Sequence, residues 1–135
     1  MKKRFLALGL ALLALAFVLV GCAPKQRFIT IGTGGTAGTY FPLGGALAEI
    51  WNKNIKGMNA NATSTGASAA NVAMLKDAKV DVIFVQNDAA YYALTDTEAY
   101  KGKGMPGIRG LASLYDETCQ LVALESSKIK TIADL

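Results

Sequence analysis

Apolar residues fall along this chain in distinct rhythms, and each rhythm predicts an element. Phe28-Ile29-Thr30-Ile31 is β-rich and runs into the glycine-rich stretch Gly32 to Gly38, as a first strand does. Leu43, Leu47, Ile50 and Trp51 then recur at helical spacing. Pro42 suits the first turn of that helix, where its missing N–H costs nothing. Asn52 to Gly57 closes the helix, and Asn59 to Thr65, small and β-capable, predicts a second strand. After Gly66-Ala67-Ser68, the segment Ala69 to Asp77 reads as a second helix with Ala69, Val72, Ala73 and Leu75 as its apolar residues. Val80 to Val85 is almost continuously apolar, the mark of a strand covered on both faces, and it stops at Gln86-Asn87-Asp88. Ala89 to Leu94 predicts a short helix and Lys101 to Gly107 an exposed loop. Ile108 to Tyr115 and Thr118 to Leu124 read as two more strands separated by Asp116-Glu117. Thr131 to Leu135 reads as the opening turn of a helix.

Strands alternating with helices at this spacing predict βαβ units, an α/β fold with a mainly parallel sheet flanked by helices. Ligands of such sheets sit beyond the carboxyl ends of the strands. The loops 32–40, 65–71 and 86–88 are therefore the candidate site.

The first residues change the picture of location. Lys2, Lys3 and Arg4 precede an uncharged run from Phe5 to Val20, the layout of an export signal. The run is shorter than the ~20 residues a membrane-spanning helix needs. Leu19-Val20-Gly21-Cys22 resembles the lipobox of bacterial lipoproteins. That resemblance implies a signal peptide over 1–21, acylation of Cys22, a short linker over 22–27, and a membrane tether made of lipid rather than protein. Removing Lys2, Lys3 and Arg4 from the 14 basic residues leaves 11 against 10 acidic ones, a net charge of +1. No basic stripe remains to suggest nucleic acid. With 135 residues the chain has room for one domain. It contains no histidine, which removes imidazole acid/base chemistry and most zinc sites; no metal or cofactor is expected. Once Cys22 is acylated, Cys119 is the remaining thiol, expected as a small buried residue in a strand.

The loops bear on chemistry. Gly32-Thr33-Gly34-Gly35-Thr36-Ala37 meets a loose dinucleotide fingerprint, but the second predicted strand has no acidic residue for a ribose hydroxyl, and no Gly-Lys-Ser/Thr is present for an NTP. The same physics serves a smaller anion: glycines admit a ligand to backbone amides, and helix N-termini carry partial positive charge. Thr33, Thr36, Thr39 and Tyr40 border the first loop. Ser64, Thr65, Ser68 and Asn71 border the second, and Gln86, Asn87 and Asp88 the third. Structural alternatives stand beside these. Ser68 and Asp88 also suit helix N-caps, Asn87 a turn, and Tyr91 and Tyr92 surface aromatics.

Ile31-Gly-Thr-Gly-Gly-Thr-Ala-Gly-Thr-Tyr40-Phe-Pro, Ser64-Thr-Gly-Ala-Ser-Ala-Ala-Asn71, Val80-Asp-Val-Ile-Phe-Val-Gln-Asn-Asp88 and Leu111-Ala-Ser-Leu-Tyr115 together resemble the N-terminal part of the TAXI group of extracytoplasmic solute receptors. These serve tripartite ATP-independent periplasmic (TRAP) transporters. The resemblance runs from Phe28 to Leu135. It implies a type II periplasmic-binding-protein-like fold of two α/β lobes, with a glutamate- or glutamine-like amino acid or small carboxylate held between them. Such receptors are about twice this length, as two domains of ordinary size are. Residues 28–135 are thus expected to form a partial first lobe, with the second lobe missing and the chain ending near the hinge. One lobe offers half the contacts of a closed receptor, so weak binding or none is expected of it alone.

The expectation is an extracytoplasmic, lipid-anchored, non-enzymatic receptor lobe that hands its solute to TRAP membrane subunits. Thr36, Tyr40, Ser68, Asn71, Gln86 and Asp88 are its candidate ligand-binding residues. The competing readings are an exported hydrolase using Asp88 or Asp81 with Lys79, and a ligand-free surface antigen. Nothing at catalytic spacing supports the hydrolase.

Overall fold

The computed structural model describes residues 25–135, so the predicted signal segment and Cys22 lie outside the described residues. Its sheet has three strands, β1 (Arg27–Gly32), β2 (Met58–Thr63) and β3 (Val82–Ile83), in the order β2-β1-β3 and all parallel. The helices are α1 (Tyr40–Asn54), α2 (Ser68–Lys76) and α3 (Asn87–Thr95). The chain therefore steps from β1 outward to β2, then crosses back past β1 to β3. The loops leaving all three strands open at one end of the sheet.

Burial explains why the central strand is β1. Ile29 pairs with Ala60, and Ile31 with Ala62 on one side and Val82 on the other. On this face Ile31, Ala60 and Phe84 pack with Ala48 of α1, and Tyr40, Leu47 and Trp51 of the same helix close over them. The opposite face is occupied by α2: a side chain on Gly32 would meet Asn71 Oδ1 at 3.1 Å and Ile83 at 3.4 Å. The apolar run around β3 is thus covered on both sides, as its composition predicts. Its ladder reaches past the assigned pair, since Asp81 N donates to Thr30 O at 2.9 Å and Phe84 N to Gly32 O at 2.9 Å.

α1 starts at Tyr40, which puts Pro42 in the first turn as expected. Near its end, Asn52 reaches the free edge of β2. Its Nδ2 donates to Ala60 O at 2.8 Å, and its Oδ1 accepts from Ala60 N at 2.6 Å. One side-chain amide thereby stands in for a neighbouring strand at the middle of an open edge. Asn52→Ala is expected to destabilise the chain by about 1–2 kcal/mol, since two backbone groups lose their partners. Chemical denaturation checks this through a lower midpoint at unchanged slope.

The strands expected at Ile108 to Tyr115 and Thr118 to Leu124 are not formed. That segment joins no ladder among the described residues, and Leu111, Leu114, Leu121, Val122 and Leu124 are exposed. β-Propensity reports fit to a pleated, half-buried surface; it does not supply the partner strand. Cys119 is consequently exposed and free rather than buried in a strand. The loop after α3 is also more tightly held than its glycines suggest. Gly104 N donates to Asp96 Oδ1 at 2.7 Å, Met105 N to Ala93 O at 2.7 Å, and Lys76 Nζ to Lys103 O at 3.0 Å. The backbone amides of Gly104, Gly102 and Lys103 hold the Asp96 carboxyl below its ordinary range. At the end of the chain a single 3₁₀ turn, Ile132–Asp134, carries a Thr131–Asp134 capping box, the opening turn expected there.

Candidate functional site

The loops after β1 and β2 are stitched together beyond the sheet. Thr33, fully buried, donates from both its amide and its hydroxyl to Thr63 O. Gly34 O then accepts from Ser64 Oγ at 2.9 Å and from Thr65 N at 3.2 Å. Among the described residues the amides of Gly34, which is buried, and of exposed Gly35 donate to no carbonyl or side chain.

Asn71 is the strut beneath. It is fully buried. Its Nδ2 donates to Thr33 O at 2.6 Å and to Phe84 O at 2.8 Å, while its Oδ1 accepts from Thr65 Oγ1 at 2.6 Å. Those partners lie just past β1, β3 and β2 respectively, so one amide ties the three strand exits to α2. Both donors of the amide are committed to main-chain carbonyls. Next to it, Ala67 holds φ 62° and ψ −152°, a backbone region costly to any residue with a Cβ. Thr65 Oγ1, accepting from Ala67 N at 3.1 Å, and Asn71 N, donating to Ala67 O at 2.8 Å, keep it there.

Over this strut lies an open recess of about 450 Å³, lined by Gly34, Gly35, Tyr40, Ser68, Gln86 and Glu117 among others. Ser68, the first residue of α2, does not cap its helix; its Oγ accepts from Gln86 N at 3.0 Å and joins the third loop to the second. The Tyr40 ring packs on Phe84 with centroids 5.4 Å apart, which fixes the phenol at the recess wall. Burial pushes the Tyr40 phenol up to about 12, with Glu117 adding to the rise and Ser68 opposing it, so it remains a neutral donor at physiological pH. A second recess of about 570 Å³ adjoins the first, sharing Thr39, Gln86, Tyr115 and Glu117 and adding Asp116 and Cys119.

Of the six expected ligand residues, the structure brings Tyr40, Ser68 and Gln86 together at this recess. It places Asn71 underneath, engaged by backbone, and Thr36 on the exposed outer part of the first loop. Asp88 is exposed on α3, accepting from Ala89 N at 2.7 Å rather than capping the helix. Two wall residues were absent from the expectation, Tyr115 and Glu117. Tyr115 OH donates to Glu117 Oε1 at 2.8 Å and holds that carboxylate at the recess. The signal for them was the acidic pair directly after Leu111-Ala-Ser-Leu-Tyr115, which reads only as a turn when two strands are expected around it.

With this geometry in view, the pattern defining the NMT1-like family matches residues 31–135, from the buried end of β1 through the segment that carries Glu117. The chain belongs to the NMT1-like family. This is a periplasmic-binding-protein-like family, and the parallel three-stranded sheet with its helices is an α/β fold consistent with part of such a lobe. Membership of the NMT1-like family fits an extracytoplasmic binding protein. No helix among the described residues is long and apolar enough to cross a membrane.

Proposed function

We propose that this NMT1-like chain is a solute receptor of the TAXI type that takes an amino acid or small carboxylate in the recess and delivers it to the membrane subunits of a TRAP-type secondary transporter. The carrying observation is the convergence of three strand-exit loops on one recess, lined by Gly34 and Gly35, whose amides have no acceptor among the described residues, and by the hydroxyl-bearing Tyr40 and Ser68. Amides and hydroxyls of this kind solvate a carboxylate without a cationic partner. The Ile31 to Pro42 and Ser64 to Asn71 motifs, which carry the likeness to TAXI receptors, are the segments that build the recess floor and one wall. The reading is of a binder and not a catalyst, held at the outer face of a membrane through acylated Cys22.

The recess is open to one side but already gathers all three loops, so of the two outcomes expected of one lobe, weak binding or none, this reading commits to weak, millimolar binding. Melting the full chain in tens of millimolar L-amino acids and dicarboxylates tests the reading. A solute binding only the folded state raises the melting temperature in proportion to the logarithm of its saturation. A melting temperature unmoved by every member of the panel overturns the receptor reading.

A further inference from the structure

Among the described residues lining the recess, Glu117 alone carries charge, and the neighbouring recess adds Asp116 and no basic side chain. A seat for a bare carboxylate would not place a carboxylate on its own wall. The lining offers two opposite kinds of group. The first loop offers unengaged amides, whereas Glu117 and the side chain of Gln86 offer oxygen acceptors. Glu117 is also held in place, since Tyr115 OH donates to its Oε1 at 2.8 Å. An ionised carboxylate has about four acceptor positions, so beside the Tyr115 and Tyr40 phenols Glu117 keeps room for donors of an ammonium group.

We propose that Glu117 is a specificity-determining residue of the recess: it receives the cationic group of the solute while the Gly34–Gly35 amides receive its carboxylate, so that α-amino acids are selected over the same acids lacking the amine. This rests on the receptor reading above and narrows its solute class. The selection has an attractive and a repulsive part. A zwitterion gains a charge-assisted hydrogen bond at Glu117, about twice as strong as a neutral one, and a plain acid meets a like charge there. The high Tyr40 phenol agrees with this, because it stays a neutral donor beside the carboxylate.

The test compares matched pairs, L-glutamate with glutarate and L-alanine with propionate, by titrating the full chain and its Glu117→Gln variant in ligand-observed NMR and thermal shift. The wild-type chain is expected to bind each amino acid at least about tenfold more tightly than its deaminated partner. In Glu117→Gln that ratio falls to about threefold or less, through weaker amino-acid binding and equal or tighter binding of the plain acid. An amino-acid preference unchanged by the substitution overturns the assignment while leaving the receptor reading intact. Equal tightening of both members of a pair also overturns it, since Glu117 would then be an obstruction and not a selector. If no member binds either protein, the receptor reading fails and this inference falls with it.

Discussion

Replacing Asn71 with alanine is expected to lower the melting temperature by more than about 10 °C, a loss of about 3 kcal/mol or more. The substitution strips partners from Thr33 O, Phe84 O and the Thr65 hydroxyl at once, all around a side chain with no exposure. Each buried polar group left unsatisfied costs about 1–3 kcal/mol, and the missing amide leaves a void besides. Against a total stability of about 5–15 kcal/mol, the loss is a large share. Asn71→Asp is expected to be worse, because a carboxylate cannot donate and would face two carbonyls while charged and dry. Circular dichroism melting of both variants checks the ranking. A drop of only a degree or two for Asn71→Ala would mean that the strand exits are held by something other than this amide.

Gly44→Val is expected to destabilise by about 2–4 kcal/mol, although valine has the better helix propensity. Gly44 is buried where α1 crosses the sheet. A Cβ there would run into the methyl of Thr33 and stand within 3.5 Å of Ala62 and Phe84. Thr33 has little freedom to retreat, because its hydroxyl is bonded to Thr63 O. Overpacking of that kind costs about 1–3 kcal/mol, and the second branch of valine adds to it. The adjacent Gly45 is the control. A Cβ on it meets nothing within 4 Å, so Gly45→Ala is expected to stabilise by about 0.5–1 kcal/mol through helix propensity alone. Opposite signs at neighbouring positions, read from denaturation midpoints, would place the helix–sheet contact at Gly44. The same sign at both would show that α1 does not press on Thr33.

The alternation of strand and helix from β1 to α3 was legible because each element in that stretch meets its neighbour within a βαβ unit. The run around Val82 and Ile83 declares two-sided burial by lacking polar residues, and α1 and α2 do cover it. The direction of the chain also located the recess, since parallel strands open their loops at one end; Tyr40, Ser68 and Gln86 meet there. Individual orientations were less accessible. Asn71 follows a small-residue loop and so resembles a ligand contact. Yet Ser68, Asn71, Val72 and Leu75 fall at helical spacing on the inward side of α2, which marks the amide as interior. Thr36 and Asp88 share the composition of their loops but not their facing, and composition carries no facing. The segment 108–124 misled for a different reason: its apolar residues suit a strand, but a ladder also needs a partner strand, and none meets it among the described residues. Reading that segment as strand also hid Glu117, whose importance comes from folding back beside Tyr40.

The amide that Asn52 lays along β2 gives the sheet a polarity of growth. With the midpoint of that border closed by a side chain, an incoming polypeptide finds its main-chain template at the flank of β3 instead. Any additional strand, whether from the same polypeptide or from another copy, is therefore steered to the flank beside Phe84 and the third loop. That flank runs on into Gln86, which lines the recess, so a strand added there would border it.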